Sequence, residues 1–342
     1  MRNIRLGKTN LTVSELGFGG IPIQRLSESE AVRVVQRALD LGVTFIDTAN
    51  GYTTSEERIG KAIAGRRDQV ILATKSGARD ANTFRQHLEL SLRRLAVDCI
   101  DILQFHNVST QQHYEAITAP GGLLEVAKEV KAAGRIGHIG VTSHNLDMAC
   151  TLAASGCFET MMFPFCILTP EPADRLIPLC QERDVAFIAM KPMGGGMLED
   201  AAIAFKYLRQ FPGVLPLVGI QDCAEIEEIV RIMDGPAAMT AAEQTEAQHL
   251  AREVSIRFCR ACDYCQPCPQ GIHISTVLRL RSHARRFPLE RFYGEWGKKE
   301  VAKAEECEEC ADCESRCPYN LPIREMLNDN VAWYHEQMSL HR

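Results

Sequence analysis

The sequence predicts a (β/α)8 TIM barrel, entered by an N-terminal β-hairpin and followed by a small α-helical module rich in cysteine. Three observations predict it. Eight short apolar runs alternate with amphipathic segments between residues 16 and 233, and strand followed by helix, repeated, means parallel strands with helical crossovers. The repeat fills about 220 residues, close to the roughly 250 typical of such a barrel. Beyond it the breaker Asp234-Gly235-Pro236 leads into a stretch holding eight of the chain's 14 cysteines.

Residues 2–15 form a small unit of their own, with Ile4, Leu6, Leu11, Val13 and Leu16 around Gly7–Asn10. This reads as a hairpin able to plug the barrel bottom. The strands expected next are Leu16–Gly20, Thr44–Asp47, Val70–Thr74, Asp101–Phe105, His138–Thr142, Thr160–Pro164, Val185–Met190 and Val214–Val218. Between them the 3.6-residue period marks helices over Glu28–Leu41, Ser55–Ala64, Thr83–Leu95, Leu123–Ala133, Glu171–Arg183 and Glu225–Met233. A doubly wound sheet is the alternative fold, but no G-x-G-x-x-G follows the first strand, and Gly17-Phe18-Gly19-Gly20 is only a glycine-rich turn. After the breaker, helices are expected at Ala241–Phe258, Ile274–Arg286 and Glu300–Glu306. The domains are therefore set at 1–239 for the barrel and 240–342 for the cysteine-rich module.

Composition narrows the function. Hydrophobic content of 46% and charged content of 24% are ordinary globular values. A net charge of −6 gives no electrostatic case for nucleic acid. No segment has the length and apolarity of a membrane span, and Met1-Arg-Asn-Ile-Arg-Leu-Gly-Lys8 lacks a signal-peptide core. A cytoplasmic protein with reduced cysteines, and neither nucleic acid nor membrane as partner, is expected.

Eight cysteines fall in two runs. Cys259, Cys262, Cys265 and Cys268 precede Pro269, and Cys307, Cys310, Cys313 and Cys317 precede Pro318. The second run is C-x2-C-x2-C-x3-C-P, the bacterial ferredoxin pattern in which three thiolates hold one [4Fe–4S] cluster and the fourth crosses to the other. Two clusters with interleaved ligands follow: Cys259, Cys262 and Cys265 with Cys317, and Cys307, Cys310 and Cys313 with Cys268. Zinc is the alternative, but it favours separated C-x2-C pairs and gives no reason for the proline. Disulfides belong to secreted chains. The first run departs from the pattern, with x2 before Cys268 where the second has x3. The other six, Cys99, Cys150, Cys157, Cys166, Cys180 and Cys223, read as small core residues.

Catalytic side chains of such a barrel collect at the C-terminal ends of its strands. There stand Asp47, Lys75 and His106, with Tyr52 five residues beyond Asp47. The segments Phe45-Ile-Asp47-Thr-Ala-Asn-Gly-Tyr52, Ala73-Thr-Lys75, Leu103-Gln-Phe-His106 and Gly140-Val-Thr-Ser143 resemble the motifs of the aldo-keto reductases, in order and at the right strands. The cysteine module resembles the tail of a subset of that family. The resemblance implies an NAD(P)H-dependent oxidoreductase that reduces a carbonyl or oxidises an alcohol. Its tetrad would be Asp47, Tyr52, Lys75 and His106. Tyrosine titrates near pH 10, and a neighbouring ammonium favours its phenolate. Tyr52 is thus expected as general acid or base, Lys75 as its electrostatic tuner, Asp47 as the partner of Lys75, and His106 as a hydrogen-bond donor to the carbonyl. Taken singly, each has a structural reading: a loop cap, an ion pair, a strand-end histidine.

Thr142 and Ser143 are candidates for the nicotinamide amide, and the loop containing Lys191, Gly194 and Gly195 for the pyrophosphate. Gly219 and Gln221 follow the eighth strand, near the usual phosphate site of a barrel. The sequence departs from the wider family at Met162, where many members carry glutamine, and at Met190, where many carry an aromatic ring. Gln221-Asp222-Cys223 offers no Lys or Arg for a 2′-phosphate, so NADP and NAD both stay open. Asn107–Gly122 is a candidate lid, with Gly121-Gly122 as hinge.

Three functions compete. In the first, the clusters pass single electrons to a ferredoxin- or flavodoxin-type carrier. In the second, they clamp a carbonyl reductase structurally. The third is a low-turnover redox sensor or electron-transfer protein.

Overall fold

Strand β1 (Asn3–Arg5) pairs antiparallel with β2 (Thr12–Ser14) around a 3-10 turn at Gly7–Thr9, so the chain opens with the expected hairpin. In the computed structural model, which describes residues 1–341, β3 (Gly17–Gly19), β4 (Phe45–Asp47), β5 (Ile71–Ser76), β6 (Ile100–Phe105), β7 (Ile136–Thr142), β8 (Thr160–Pro164), β9 (Ala186–Met190) and β10 (Val214–Gly219) follow. They close into a parallel barrel in chain order, with β10 returning to β3. The eight expected runs are these eight strands, their ends shifted by no more than two residues.

Alternation of side chains across each strand divides the barrel residues into two sets. Phe45, Ala73, Ile102, Met162, Ile188, Leu215 and Leu217 face inward and share one apolar cluster with Leu6 and Val13 of the hairpin. Phe18, Ile46, Leu72, Leu103, Phe105, Met161 and Phe163 belong to the outer cluster with the helices. The hairpin therefore seals one end of the barrel. Lys8 N–H donates to Asp184 O at 2.7 Å. Gly7 has φ +46°, and a Cβ there would lie 2.6 Å from Ala186 N, so only glycine fits this approach to the start of β9.

The crossover helices are α1 (Glu28–Asp40), α2 (Ser55–Ala62), α3 (Ala81–Leu95), α4 (Gln111–Thr118), α5 (Leu123–Ala132), α6 (Leu146–Ala154), α7 (Leu176–Glu182), α8 (Ala201–Leu208) and α9 (Cys223–Asp234). Ser27 starts α1 with a capping box to Glu30, in which the two side chains accept from two otherwise orphan N–H donors at the helix end. Periodicity missed α4, α6 and α8. These are short, and α6 and α8 are apolar over most of their length, leaving little contrast between faces. Caps at Asn145 and Asp200 mark the last two. The segment expected as one helix over Glu171–Arg183 is a 3-10 turn at Glu171–Ala173 followed by α7. Pro178 explains the break, since proline has no N–H to give and is tolerated only in a first turn.

Helix α10 (Ala241–Ser255) contains the division between two compact units, which falls between Ala247 and Gln248 rather than at residue 240. Lys206 pairs with Glu243, which ties the first turn of α10 to the barrel unit. The second unit contains α11 (Ile274–Val277), α12 (Leu280–Ala284), α13 (Leu289–Phe292), α14 (Glu295–Ala304), α15 (Asp312–Ser315) and α16 (Ile323–Leu340). The expected helix over Ile274–Arg286 is divided into α11 and α12, and α16 was not anticipated. Ile274, Val277, Leu280, Phe292, Val301, Ile323, Met326 and Tyr334 form its core together with Cys265, Cys313 and Cys317. Among the described residues no helix is long and apolar enough to cross a membrane.

Candidate active site

Parallel strands in register bring one end of the barrel's strands together, and the register fixes which side chains meet there. Asp47 ends β4 beside Ala73, and Lys75 on β5 lies beside Gln104 on β6. Lys75 Nζ donates to Asp47 Oδ1 and to the carbonyl of Thr48, the latter at 2.7 Å. The other carboxylate oxygen, Oδ2, accepts from Gln104 Nε2 at 2.7 Å. Asp47 and Lys75 are each 2% exposed, so this pair is shielded and held on both carboxylate oxygens. Tyr52 is half-buried in the loop after β4. Its ring centroid lies 5.2 Å from Lys75 Nζ and 5.9 Å from the His106 ring, which meets it edge-on at 80°. The four residues expected as a tetrad thus stand together.

The loop that carries Tyr52 is pinned from both ends. Thr48 N–H donates to Ala73 O, and Asn50 N–H to Lys75 O. Arg94 of α3 donates to Asn50 O at 3.2 Å and pairs with Glu56, which also accepts from Thr74 Oγ1 at 2.7 Å. Glu56 is 1% exposed. A buried carboxylate, an arginine and a threonine behind β5 therefore fix the entry of α2 and, through it, the tyrosine.

Burial penalises the ammonium of Lys75, but Asp47, then Tyr52 and Glu56, outweigh it and hold its pKa above the ordinary value. Lys75 is charged at neutral pH. Burial pushes the Asp47 carboxyl up, while Lys75 and the Gln104 hydrogen bond pull it down. His106 is pushed down to about 3, first by burial and then by the charges of Lys75 and Arg79. Its ring keeps part of its surface open, yet both causes point the same way, and the imidazole is neutral.

Gln104 was not singled out from the sequence. The signal was there: it lies two residues before His106, on the same face of β6, as a buried amide among apolar inward positions. Gly140 on the next strand makes room for it, since a Cβ there would lie 2.9 Å from Gln104 Cγ and 2.2 Å from Thr160 Oγ1.

The residues expected to hold the cofactor occupy the same end, after β7, β9 and β10. Thr142 Oγ1 accepts from Asn107 N–H at 2.8 Å, leaving its own proton to give. Ser143 is fully buried and its hydroxyl is engaged with Asn145 and Ser109. Lys191 has φ +61°, and Gly194, Gly195 and Gly196 have φ of +58°, +68° and +94°, a glycine conformation that exposes backbone. Two amides of that loop are spent internally, Gly194 N–H on Lys191 O and Gly196 N–H on Met193 O. A Cβ at Gly219 would lie 2.7 Å from Pro22. Gln221 N–H donates to Glu225 Oε2 at 2.7 Å, so that amide is also taken. Met162 and Met190 lie inside the barrel. The expected lid, Asn107–Gly122, contains α4, and Gly121 takes φ +74° at its end. Of the six remaining cysteines, Cys166 and Cys180 are buried, with burial pushing the Cys180 thiol up to about 12; Cys150, Cys157 and Cys223 are partly covered and packed against the outer core, and Cys99 is partly covered.

In the second unit the two cysteine runs share one backbone pattern. Ala261 and Asp263 have φ of +62° and +61°, and Glu309 and Ala311 have +55° and +65°. In each run these are the second and fourth residues after the first cysteine, so two loops of different sequence turn alike around their thiols. Cys307, Cys310, Cys313 and Cys268 line one cavity. Burial, then the backbone and the nearby Cys259 and Cys317, set the Cys262 thiol at about 11, and burial followed by Cys259 raises Cys265 to about 12. Cys262 thus has Cys259 and Cys317 near it, while Cys268, Cys307, Cys310 and Cys313 share one cavity; thiol groupings of this kind suit iron–sulfur clusters. Among the described residues no three His, Cys, Asp or Glu side chains converge as they would on a lone metal ion.

Comparison with known proteins agrees with both units. The aldo/keto reductase family model matches residues 15–204, and a model described as a 4Fe-4S dicluster domain matches residues 258–322. Aldo-keto reductase YhdN of Bacillus subtilis (strain 168) is 31% identical over 217 residues, covering 58% of this chain and 64% of that protein. Aldo-keto reductase yakc [NADP(+)] of Schizosaccharomyces pombe is 28% identical over 215 residues, 56% of this chain and 62% of its own. The chain thus spans less than two thirds of each. The solved structure of aldo-keto reductase AKR11C1 from Bacillus halodurans (holo form) superposes with a TM-score of 0.65 at 25% identity, over 74% of this chain and 97% of that one.

Proposed function

Because the chain belongs to the aldo/keto reductase family, whose model spans more than half of it, we propose that it is a nicotinamide-dependent oxidoreductase. It reduces a small carbonyl compound, or oxidises the corresponding alcohol, at Asp47, Tyr52, Lys75 and His106. The observation that carries the reading is the convergence of a tyrosine, a neutral histidine and a buried lysine–aspartate pair at one end of the barrel. A bound nicotinamide, NADP or NAD, would supply the hydride to the carbonyl carbon. Thr142 would give a hydrogen bond to its amide, and the loops at Lys191–Gly195 and Gly219–Gln221 would line its phosphates.

The protein's own part is the proton and the oxygen. As the carbonyl oxygen gains charge, Tyr52 Oη gives up its proton to it, and the phenolate left behind faces the Lys75 ammonium. Asp47, braced by Gln104, keeps that ammonium in place. His106 is neutral and so presents one N–H, which orients the substrate oxygen without adding a charge that would oppose Lys75. Tyr52 regains its proton from solvent at its exposed edge. In the reverse direction Tyr52 is the base.

The second unit is a 4Fe-4S dicluster domain by its family match. We assign two [4Fe–4S] clusters to it, one on Cys259, Cys262, Cys265 and Cys317 and one on Cys268, Cys307, Cys310 and Cys313. Clusters of this kind supply single electrons, and the fitting partner is a small electron carrier of ferredoxin or flavodoxin type. A purely structural role is the second reading, favoured by the place of Cys265, Cys313 and Cys317 in the unit's core.

The test is Tyr52→Phe. It should lower carbonyl reduction by at least about 100-fold, the scale of general acid catalysis, while nucleotide binding and iron content match the wild type. Undiminished turnover would remove Tyr52 from the mechanism.

A further inference from the structure

The spacer of three residues in the second cysteine run, Glu314-Ser315-Arg316, ends in an arginine that reaches the first run. One nitrogen of Arg316, Nη2, donates to the carbonyl of Cys265 at 3.0 Å and to that of Pro267 at 2.7 Å. These two carbonyls bracket the point where the chain leaves one thiol set and enters the other. Cys265 belongs to the set completed by Cys317, and Pro267 precedes Cys268, which belongs to the set of Cys307, Cys310 and Cys313. Arg316 also lines the cavity of that second set.

Its charge has no carboxylate partner among the described residues. Arg324, which lines the same cavity, is paired with Glu314 at 2.9 Å. Arg316 spends its hydrogen bonds on neutral carbonyls and keeps its full positive charge at the crossing. The run around it is otherwise acidic and exposed, with Glu308, Glu309 and Asp312.

We infer that Arg316 is a positioning residue that clasps the two cysteine runs at their crossing and raises the reduction potential of both clusters. The inference rests on the two-cluster reading. Each one-electron reduction adds a negative charge to a cluster, and a fixed cation beside it favours the reduced form. One guanidinium between the sets acts on both at once, and it eases the repulsion between two reduced clusters.

The experiment is an EPR-monitored redox titration of anaerobically purified protein: wild type, Arg316→Gln and Arg316→Lys. Wild type with about eight irons and two reducible signals is the starting condition. Fewer would refute the two-cluster reading itself, before any variant is made. At an ambient potential that half-reduces wild type, Arg316→Gln should lower the reduced-to-oxidised ratio about tenfold, which is 59 mV for a one-electron couple. Arg316→Lys keeps the charge and should stay within about twofold of wild type, even though it cannot reproduce the planar fork. A wild-type ratio in Arg316→Gln would overturn the inference. So would equal shifts in the glutamine and lysine variants, because charge would then not be the cause. If the glutamine variant loses iron, the clasp is supported and the lysine variant carries the test of the charge.

Discussion

Replacing Lys75 with methionine isolates the part of the site on which every other assignment leans. The stem of the side chain is kept, and the ammonium that bridges Asp47 and the Thr48 carbonyl is lost. Asp47 is then left 2% exposed with Gln104 Nε2 as its hydrogen-bond donor. Removing one partner of a buried ion pair costs about 3–5 kcal/mol, and the lost hydrogen bond to Thr48 O lies within that figure. The cost depends on pH in a definite direction. Burial already pushes the Asp47 carboxyl up, and Lys75 is the first force opposing it. The folded-state pKa is already held above the unfolded value of about 3.9; without Lys75 it rises further, so over a wider pH range the folded variant holds a proton that its unfolded chain has shed. Its stability is then greatest at low pH and falls as pH rises through the folded pKa. Urea unfolding of wild type and variant at pH 5 and pH 8, followed by far-ultraviolet circular dichroism under anaerobic conditions, reads this directly. The deficit of the variant should be larger at pH 8, and Asp47→Asn in the same background should recover part of it. A deficit below about 1 kcal/mol, the scale of an exposed pair, and equal at both pH values would mean that Lys75 and Asp47 do not form a buried, coupled pair.

Other perturbations test neighbouring parts. His106→Gln should lower kcat/KM by roughly 100-fold, the usual loss of one oriented donor. Because His106 is held down to about 3, the wild-type pH profile should show no inflection between pH 5 and 8 that vanishes in this variant. Gly140→Ala would set a methyl 2.2 Å from Thr160 Oγ1 and should destabilise the barrel by about 1–3 kcal/mol, as overpacking does, measured by urea unfolding. Cys313→Ser should lose iron from one thiol set while leaving nucleotide binding untouched; unchanged iron by elemental analysis would strike Cys313 from the ligands.

The fold was legible because the barrel repeats one unit, and each strand run is apolar and bounded by turn residues. The site was legible for a related reason. Asp47, Lys75 and His106 are polar residues at the ends of apolar strands, where burial needs a purpose. Gln104 escaped notice because a single amide in a strand carries no charge, and its role appears only when the register sets it beside Lys75. Helices α6 and α8 were missed because their residues are apolar on most sides, and α16, past the second cysteine run, was not anticipated. The common backbone of the two cysteine runs was also invisible in the letters, since Ala261, Asp263, Glu309 and Ala311 share a left-handed conformation and no residue type. That likeness bears on the shorter spacing before Cys268. The spacing is the same through the first three cysteines of each run, and the departure is confined to the fourth, the ligand that crosses over.

In the proposed reaction a nicotinamide hydride passes directly to a carbonyl carbon at Tyr52. Wild-type protein incubated with an aldehyde and nicotinamide dinucleotide carrying deuterium at the transferable position tests it most directly, in one turnover, with the product analysed by mass spectrometry. One deuterium is expected on the carbinol carbon of the alcohol, whichever of NADH or NADPH serves as donor. Alcohol formed with solvent hydrogen at that carbon would contradict it, since the electrons would then have travelled singly.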